Sequence, residues 1–390
     1  MVPLILNHMR VFVIDISGKV INYDIAFCEA IHDELDNKSE IVYFAPLYNQ
    51  NPKCKTIRLI NLIPLRYKNS DYLWKRAIKF IELIINYIYI LYYIFTRKPD
   101  VIHFQWFPLL EICTGEDLVL KIARILSGHS QIVYTIHNLF PHELSIEKRS
   151  IYVGRFKRIA VLIDTFIVHT EKTKKEVSVN FNISEEIIHI VHHGIFIPHD
   201  YYPCPNKIEN QETIFIMYGN LTDYKGVDLF VEAIKGLPEH YRKRVRGIIA
   251  GEMQNKRLCY RLQEESRDLN IEWYPYFLPD KELYERIDNS NVIVLPYKQI
   301  SQSGVLLLAL YFRRFIITSD LPTFKETLKG FSDDMFFESE NTNGLAQLMM
   351  RFVDGDFDKE KQMQAIENLN RDYSWNTAAK KMIKIYLTII

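Results

Sequence analysis

The sequence predicts an α/β fold made of two doubly wound, Rossmann-like domains that face each other across a cleft. Short apolar runs rich in β-branched residues alternate with helical patterns through both halves, which is typical of parallel sheets covered by helices on both faces. The 390 residues exceed the roughly 250–300 at which a single core stops growing. A stretch with Pro198, Pro203 and Pro205 has no apolar periodicity and places the domain boundary near 200–210.

Composition indicates a soluble globular protein. Lys plus Arg and Asp plus Glu both number 48, so the whole-chain charge does not favour nucleic acid. The five cysteines include no closely spaced pair, which favours neither a disulfide framework nor a zinc site, and we expect a reducing cytoplasm. We interpret the N-terminus as the approach to a first strand instead of a signal peptide.

The first half contains the predicted strands and helices of one sheet. The predicted strands are VFVIDI (11–16), IVYFAP (41–46), DVIHF (100–104), QIVYTI (131–136), TFIVHT (165–170) and IIHIVHHG (187–194). The predicted helices follow the polar loop at Gly18, through Phe27, Ile31 and Leu35, and then cover 116–126, 151–163 and a segment that starts at Glu171.

Residues 77–95 form the most apolar segment, and the stretch 53–98 around it is basic. That stretch holds ten Lys or Arg against two acids, Asp71 and Glu82. The apolar segment approaches the roughly 20 residues that span a bilayer, but Lys79 and Asn86 also interrupt it. Three interpretations stay open: a helix that covers the sheet, a helix that also touches an anionic membrane surface, and a spanning helix.

The second half repeats the plan. The predicted strands are TIFIMYG (213–219), VRGIIAG (245–251), IEWYPY (271–276), NVIVLP (291–296) and FIITSD (315–320), with helices over 227–236, up to about 268 and from Asp280. Residues after 341 are predicted to be helical to the end of the chain.

The stretch 291–326 organises this half around a loop that suits phosphate. Its two strands flank the loop KQISQS, which leads into the apolar helix GVLLLALYF. The hydroxyls of Ser301 and Ser303, the backbone at Gly304 and the positive end of a helix dipole would meet at the carboxyl edge of a sheet. An ordinary β-α-β crossover with a polar loop is the alternative.

Several motifs of the second half resemble, in order and spacing, those of the retaining-type GT-B glycosyltransferases of family 4. These motifs are GNLTDYKGVD (219–228), IAGE (249–252), PDKEL (279–283), NVIVLPY (291–297), SGVLLLA (303–309), IITSDLP (316–322) and YSW (373–375). The resemblance implies an acceptor-binding domain over 1–200, a donor-binding domain over 210–372, and a helix over 373–390 that crosses back to the first domain.

The resemblance also implies a donor site for a nucleotide-diphosphate sugar, with no metal and no other cofactor. Lys225 matches the cation that holds the diphosphate in this family, in keeping with the need to hold the charge of a leaving phosphate. The donor-binding residues implied in this way are Gly219, Asn220, Lys225, Gly251, Glu252, Ser301, Ser303 and Gly304.

Two departures from the family pattern affect this site. Asn220 stands where the family has an arginine, and Ile300 and Leu308 stand where it has two glutamates. The second glutamate normally holds the ribose of the nucleotide, a contact that Leu308 does not make.

A smaller group, the bacterial glycosyltransferases of exopolysaccharide and capsule assembly, including β-mannosyltransferases, resembles the chain in the segment TIHNLFPHE (135–143). The resemblance implies that this loop faces the donor sugar, so His137, His142 and Glu143 become candidate catalytic residues. In an inverting enzyme one of these three, or Asp15 or Asp24, would accept the proton of the acceptor hydroxyl. The candidate residues of the acceptor-side loop are Gly18 and Asp24. In a retaining enzyme His137 would contact the sugar and the β-phosphate.

The resemblance therefore implies a metal-independent hexosyltransferase that acts in surface polysaccharide synthesis. Its donor would be a GDP- or UDP-linked sugar, and its acceptor a saccharide, lipid-linked as in the resembling group. A nucleotide-sugar epimerase or hydrolase and an inactive nucleotide-sugar-binding protein are the alternatives. We expect a cytoplasmic location, with contact at the inner face of the membrane through 53–98 as an open alternative, and no binding of nucleic acid.

Overall fold

Two compact units make up the chain in a computed structural model that describes residues 8–46, 52–62, 73–140, 146–195, 201–203, 212–300 and 303–390. The first unit combines Met1–Gly194 with Trp375–Ile390, and the second is Ile195–Ser374. Each unit is built on one parallel sheet, which confirms the predicted α/β class with two Rossmann-like domains.

The first unit has a seven-stranded sheet in the order β3-β2-β1-β4-β5-β6-β7. Its strands are short and mostly buried on both faces, as expected where helices cover both sides of a sheet. They are β1 (Arg10–Ile14), β2 (Glu40–Ala45), β3 (Lys55–Arg58), β4 (Val101–Phe104), β5 (Gln131–Thr135), β6 (Thr165–Val168) and β7 (Ile188–Ile190). Its helices are α1 (Ile21–Glu34), α2 (Leu73–Arg97), α3 (Glu116–Ser127), α4 (Ile146–Ala160), α5 (Glu171–Phe181) and α14 (Trp375–Ile389).

The second unit has a six-stranded sheet in the order β10-β9-β8-β11-β12-β13. The strands are β8 (Thr213–Tyr218), β9 (Val245–Ala250), β10 (Ile271–Tyr274), β11 (Val292–Leu295), β12 (Phe315–Ser319) and β13 (Phe336–Phe337). The helices are α6 (Val227–Gly236), α7 (Glu239–Arg242), α8 (Lys256–Glu265), α9 (Asp280–Asp288), α10 (Gly304–Phe312), α11 (Pro322–Thr327), α12 (Thr342–Asp354) and α13 (Lys359–Asp372). Single 3₁₀ turns lie at Glu185–Ile187, Asp223–Lys225 and Asp333–Met335.

Helix α14 belongs to the first unit although it ends the chain. It packs against α1, and the buried Tyr386 hydroxyl lies 2.6 Å from Nδ1 of His103 on β4. At its start, the Trp375 ring lies so close to Gly194 that a Cβ added to that glycine would come within 2.2 Å of the ring. Only glycine allows the chain to leave the unit at this point.

Three elements differ from the sequence prediction. Lys55–Arg58, which is not among the predicted strands, forms the edge strand β3 beside β2. The strand predicted over 187–194 is reduced to Ile188–Ile190, because the preceding residues form a 3₁₀ turn and the following ones turn toward Gly194. The short pair Phe336–Phe337 also joins the sheet, beside β12.

A buried ion pair in the second unit joins the end of α9 to the start of β12. The side chains of Asp288 and Arg314 are each 5% exposed, and the Tyr201 hydroxyl donates to the same carboxylate at 3.2 Å. Removing one partner of such a pair leaves an uncompensated charge in the interior.

We therefore expect Arg314→Met to lower the free energy of unfolding by about 3–5 kcal/mol, as measured by urea denaturation. The double variant Arg314→Met with Asp288→Asn should recover part of that loss, because it removes the orphaned charge. Lys243→Met breaks a pair whose side chains are both 73% exposed and should cause no measurable change. Equal effects for the buried and the exposed pair would contradict this account.

Candidate functional site

The carboxyl ends of β8 and β9 approach each other through two glycines. Gly219 follows β8 with φ +106°, and Gly251 follows β9 with φ +137°. A Cβ on Gly251 would lie 1.9 Å from the carbonyl oxygen of Gly219, so no larger residue fits there without moving the backbone. The two predicted glycines thus form one narrow edge of the sheet.

Lys225 brings a cation to this edge. It ends the 3₁₀ turn Asp223–Lys225, is only 7% exposed, and its Nζ would lie 3.4 Å from a Cβ on Gly219. The Tyr297 ring lies below it, with its centroid 5.2 Å from Nζ. Within the described part of the chain, no carboxylate lies within ion-pairing distance of Lys225.

Burial lowers the pKa of Lys225 from 10.5 to about 8. Its neighbour Lys298 differs, because Nζ of Lys298 pairs with the Asp228 carboxylate at 2.7 Å. A buried ammonium without a carboxylate partner is well suited to bind an anionic ligand, since the ligand supplies the missing negative charge.

Helix α10 starts beside this lysine. Val305, in its first turn, would come within 2.9 Å of a Cβ on Gly219, and the Tyr218 hydroxyl donates to the Val305 carbonyl at 2.9 Å. Ser303 is the N-cap, and its Oγ accepts from the backbone N–H of Leu306 at 3.1 Å. Ser303 Oγ therefore caps the start of α10. Gly304 opens the helix, and nothing would lie within 4 Å of its added Cβ.

The remaining donor-side candidates lie around this edge with less direct roles. Asn220 accepts a hydrogen bond from Gln254 Nε2 at 2.9 Å, and Glu252 is exposed directly after Gly251. Ile300 and Leu308 pack against the apolar core of the second unit. The two positions that carry glutamates in the resembling family therefore have apolar side chains and apolar neighbours here. Ser301 lies outside the described residues.

In the first unit, the loop after β1 is organised by a buried carboxylate. Oδ1 of Asp15 accepts from the backbone N–H groups of Ser17 at 3.0 Å and Gly18 at 2.9 Å, and from the Ser17 hydroxyl at 2.8 Å. Oδ2 accepts from the backbone of Val20 at 3.3 Å. Asp15 thus binds its own loop, which leaves it poorly placed to accept a proton from a substrate. Gly18 has φ +63° and lies against Ile21 and Pro46.

The placement of Asp24 in an acceptor-side loop is wrong. The helix α1 begins at Ile21, so Asp24 lies inside the helix, fully buried against the sheet. Oδ2 accepts from the Tyr43 hydroxyl at 3.0 Å. Burial, followed by the nearby charge of Asp15, raises the pKa of Asp24 well above its usual value. Asp24 is a core residue of this unit.

His137 lies at the carboxyl end of β5 within a chain of hydrogen bonds. His169 Nδ1 faces the Val191 carbonyl at 2.8 Å, so this nitrogen carries the proton and Nε2 of His169 is an acceptor. Nδ1 of His137 lies 3.4 Å from that Nε2 and is therefore the donor. Nε2 of His137 is left with its lone pair, 3.1 Å from the Gln105 carboxamide. That contact is satisfied when Gln105 presents its NH₂ group, which otherwise has no partner among the described residues.

The neighbourhood of His137 keeps the imidazoles neutral. Burial lowers the pKa of His137 well below 6.5, that of His169 to about 4 and that of His193 to about 3. The Tyr23 ring packs edge-on against all three, with centroids 4.7–5.4 Å away. His142 and Glu143, the other predicted members of the cluster, lie outside the described residues.

The sequence interpretation missed His169, Gln105 and Trp106 as neighbours of His137. Gln105 and Trp106 follow β4 directly, and His169 follows β6. The available signal was their position, since the carboxyl ends of parallel strands meet at one edge. Trp106 lies 6.5 Å from His137, ring to ring, and Lys19 Nζ lies 4.2 Å from the Trp106 ring.

Comparison with known families gives a match in each half of the chain. Residues 31–197 match the family described as Glycosyltransferase Family 4, and residues 203–371 match the one described as Glycosyl transferases group 1. An uncharacterized glycosyltransferase of Methanocaldococcus jannaschii is 19% identical over 303 residues, which cover 74% of this chain and 75% of that protein.

Solved structures show the same fold at low sequence identity. A glycosyltransferase from Rickettsia africae matches with a TM-score of 0.68 and 16% identity, over 98% of this chain and 99% of its own. Anabaena HepE, in complex with UDP-glucose, matches with a TM-score of 0.65 and 12% identity, over 98% and 100%. The lipopolysaccharide outer core galactosyltransferase WaaB matches with a TM-score of 0.60 and 16% identity, over 96% and 98%.

Replacing Lys225 tests whether its buried ammonium is costly to the unliganded protein. Because burial disfavours the charged form, the unfolded chain binds more protons than the folded one between pH 8 and 10.5. The contribution of this group to stability should therefore improve as the pH rises through that window. At pH 7, Lys225→Met should raise the free energy of unfolding by about 2–3 kcal/mol, as measured by urea denaturation.

Lys298→Met is the matched control, since it removes a neighbouring lysine that has a carboxylate partner. It leaves Asp228 without its cation and should lower stability. A loss of stability of the same size in both variants would show that the Lys225 ammonium is compensated in the folded protein.

Proposed function

Because the chain belongs to the glycosyltransferases of the GT-B fold, we propose that it transfers a hexose from a nucleotide-diphosphate sugar to a saccharide acceptor. The observation that carries this proposal is the buried Lys225 beside Gly219 and the first turn of α10, with no carboxylate partner among the described residues. A departing nucleoside diphosphate gains negative charge, and an ammonium together with a helix N-terminus stabilises that charge.

The narrow edge at Gly219 and Gly251 supports the same assignment. With no side chain at either position, a diphosphate can approach the backbone closely. Lys225 and the start of α10 would then contact its oxygens, and Ser303 would hold the helix start in place. In this proposal the positive charge comes from the protein, so that a metal ion is not required. HepE, a protein of the same fold, is in complex with UDP-glucose, which supports a nucleotide-sugar donor here.

His137 is our candidate for contact with the reacting sugar. Its Nε2 lone pair faces the Gln105 amide in the unliganded protein, and a sugar hydroxyl can replace that amide because both are hydrogen-bond donors. A hydroxyl bound in this way is positioned to lose its proton to Nε2. His169, which accepts from the other ring nitrogen, would fix the tautomer. His142 and Glu143 remain further candidates on the same loop.

A lipid-linked saccharide in cell-surface polysaccharide synthesis is the acceptor class that we propose. Support comes from the resemblance in 135–143 and from WaaB, whose fold is shared and which acts in the lipopolysaccharide outer core. The apolar residues at 300 and 308 are the one observation that favours the alternative of an epimerase or hydrolase, because they change the expected ribose contact.

Nucleotide binding can be tested by thermal unfolding with UDP, GDP and their sugar conjugates. At a concentration about 100 times its dissociation constant, a nucleotide that binds the folded state stabilises it by about 2.7 kcal/mol. We expect one base to stabilise the wild type and to have no effect on Lys225→Ala. Lys235→Ala, which alters a half-exposed lysine on α6, should respond like the wild type. No stabilisation by any of the nucleotides would contradict a donor site.

The role of His137 can be separated from donor binding by His137→Ala. We expect transfer to an acceptor to fall by about 10²–10⁴-fold, while the thermal stabilisation by the nucleotide is retained. His129→Ala is the control, because His129 is an exposed histidine of the same unit. Donor turnover without any acceptor would favour the epimerase or hydrolase, and an unchanged transfer rate in His137→Ala would remove this residue from the catalytic group.

A further inference from the structure

The long helix α2 exposes a continuous apolar face. Nine of its large side chains are 40–62% exposed, and they recur at helical spacing on the outer side. They are Trp74, Phe80, Ile81, Ile84, Ile85, Ile88, Tyr89, Tyr92 and Phe95. Ile60 and Leu62, in the segment after β3, extend the surface with exposures of 42% and 72%. An apolar surface of this extent on a globular protein marks a site of interaction.

The opposite face of α2 is built into the first unit. Tyr87, Ile90 and Ile94 are at most 4% exposed and belong to the apolar core of that unit. The composition of Ala77–Arg97 is apolar enough to cross a bilayer, but a crossing would remove these three side chains from the core. The helix can therefore present only its outer face to a partner.

The polar residues of α2 hold this orientation. The Asn86 carboxamide exchanges two hydrogen bonds of 2.9 Å with the backbone of Ile60. Glu82, which is 3% exposed, accepts from the backbone N–H of Leu62 at 2.9 Å and pairs with Lys79 at 2.6 Å. The residues that interrupt the apolar sequence thus bind the segment after β3, and the outer face is left apolar.

Charge at the two ends of α2 identifies the partner. Lys75 and Arg76 lie in the first turn, and Arg97 and Lys98 lie at the end, where both are exposed. Glu82 is the only acid of the helix and is buried. In a twofold pairing with a second copy, parallel or antiparallel, cationic ends would meet cationic ends, which is unfavourable.

We infer that this face of α2, together with Ile60 and Leu62, docks on the surface of an anionic lipid bilayer. The helix, about 37 Å long, would lie in the plane of the interface with its apolar side chains among the acyl chains. The lysines and arginines at its ends would lie at the headgroups, where an anionic surface attracts them. Tyr89 and Tyr92 are suited to the boundary between the two regions. This inference does not depend on the proposed donor or acceptor.

Vesicle flotation of the full chain tests the inference. We expect the wild type to float with vesicles of equal parts phosphatidylglycerol and phosphatidylcholine, and to float less with phosphatidylcholine alone. Ile84→Gln with Ile88→Gln should lower the partition at least about tenfold, since two apolar side chains are lost from the interface. The control Ile125→Gln with Ile151→Gln changes two isoleucines on α3 and α4 that are 78% and 55% exposed and should leave flotation unchanged.

Three outcomes would overturn the inference: no flotation of the wild type with either vesicle, equal flotation of the α2 variant and the wild type, or a wild-type dimer in sedimentation that the α2 variant converts to a monomer. Thermal stabilisation by a nucleotide, measured on the same variants, reports on the second unit. A change in flotation with unchanged nucleotide response therefore separates this inference from the proposed function.

Discussion

The close approach of the backbone at Gly219 and Gly251 is the constraint on which the second unit's candidate site depends. Because no side chain separates the ends of β8 and β9, the loop after β8 turns tightly and delivers Lys225 to the start of α10. Gly226, with φ +72°, continues the same turn against the carbonyl of Pro296. This packing buries the Lys225 ammonium, and a buried ammonium is stabilised when an anion binds beside it. The glycine turns therefore determine the burial of Lys225, and through it the electrostatics of the site.

In the first unit, the backbone N–H groups before α1 are bound by a carboxylate of the protein itself, Asp15. Its first loop gathers backbone N–H groups around Asp15, so that the positive end of α1 is neutralised internally. In the equivalent loop of the second unit the buried charged side chain is Lys225, whereas the Asp223 carboxylate is exposed and accepts a hydrogen bond from Asn255 Nδ2 at 3.1 Å. The buried charge is thus negative in the first unit and positive in the second, which supports anion binding by the second unit. In the first unit, the candidate reactive groups are the neutral histidines around Tyr23.

Local signals in the sequence were sufficient for much of the fold. The bounds of α6 and α10 agree with the prediction because glycine at 226 and the Ser303 cap mark their starts, and Arg313 in the left-handed conformation ends α10. The edge strand β3 has no apolar run and depends on β2 for its form. The burial of Asp24 and the hydrogen bonds of His137 depend on residues up to 32 positions away, and such tertiary contacts leave no periodic pattern in the sequence.

The contact between Gly194 and Trp375 makes the first unit discontinuous, since its last helix follows the whole of the second unit. A ribosome would release all of residues 195–374 before α14 emerges, so the second unit can complete its core during synthesis while the first waits with α1 uncovered. Truncation near residue 375 would accordingly remove α14 from the first unit and destabilise that unit, although it is synthesised first. Folding of the amino-terminal unit therefore depends on the last residues to be synthesised, Trp375–Ile390.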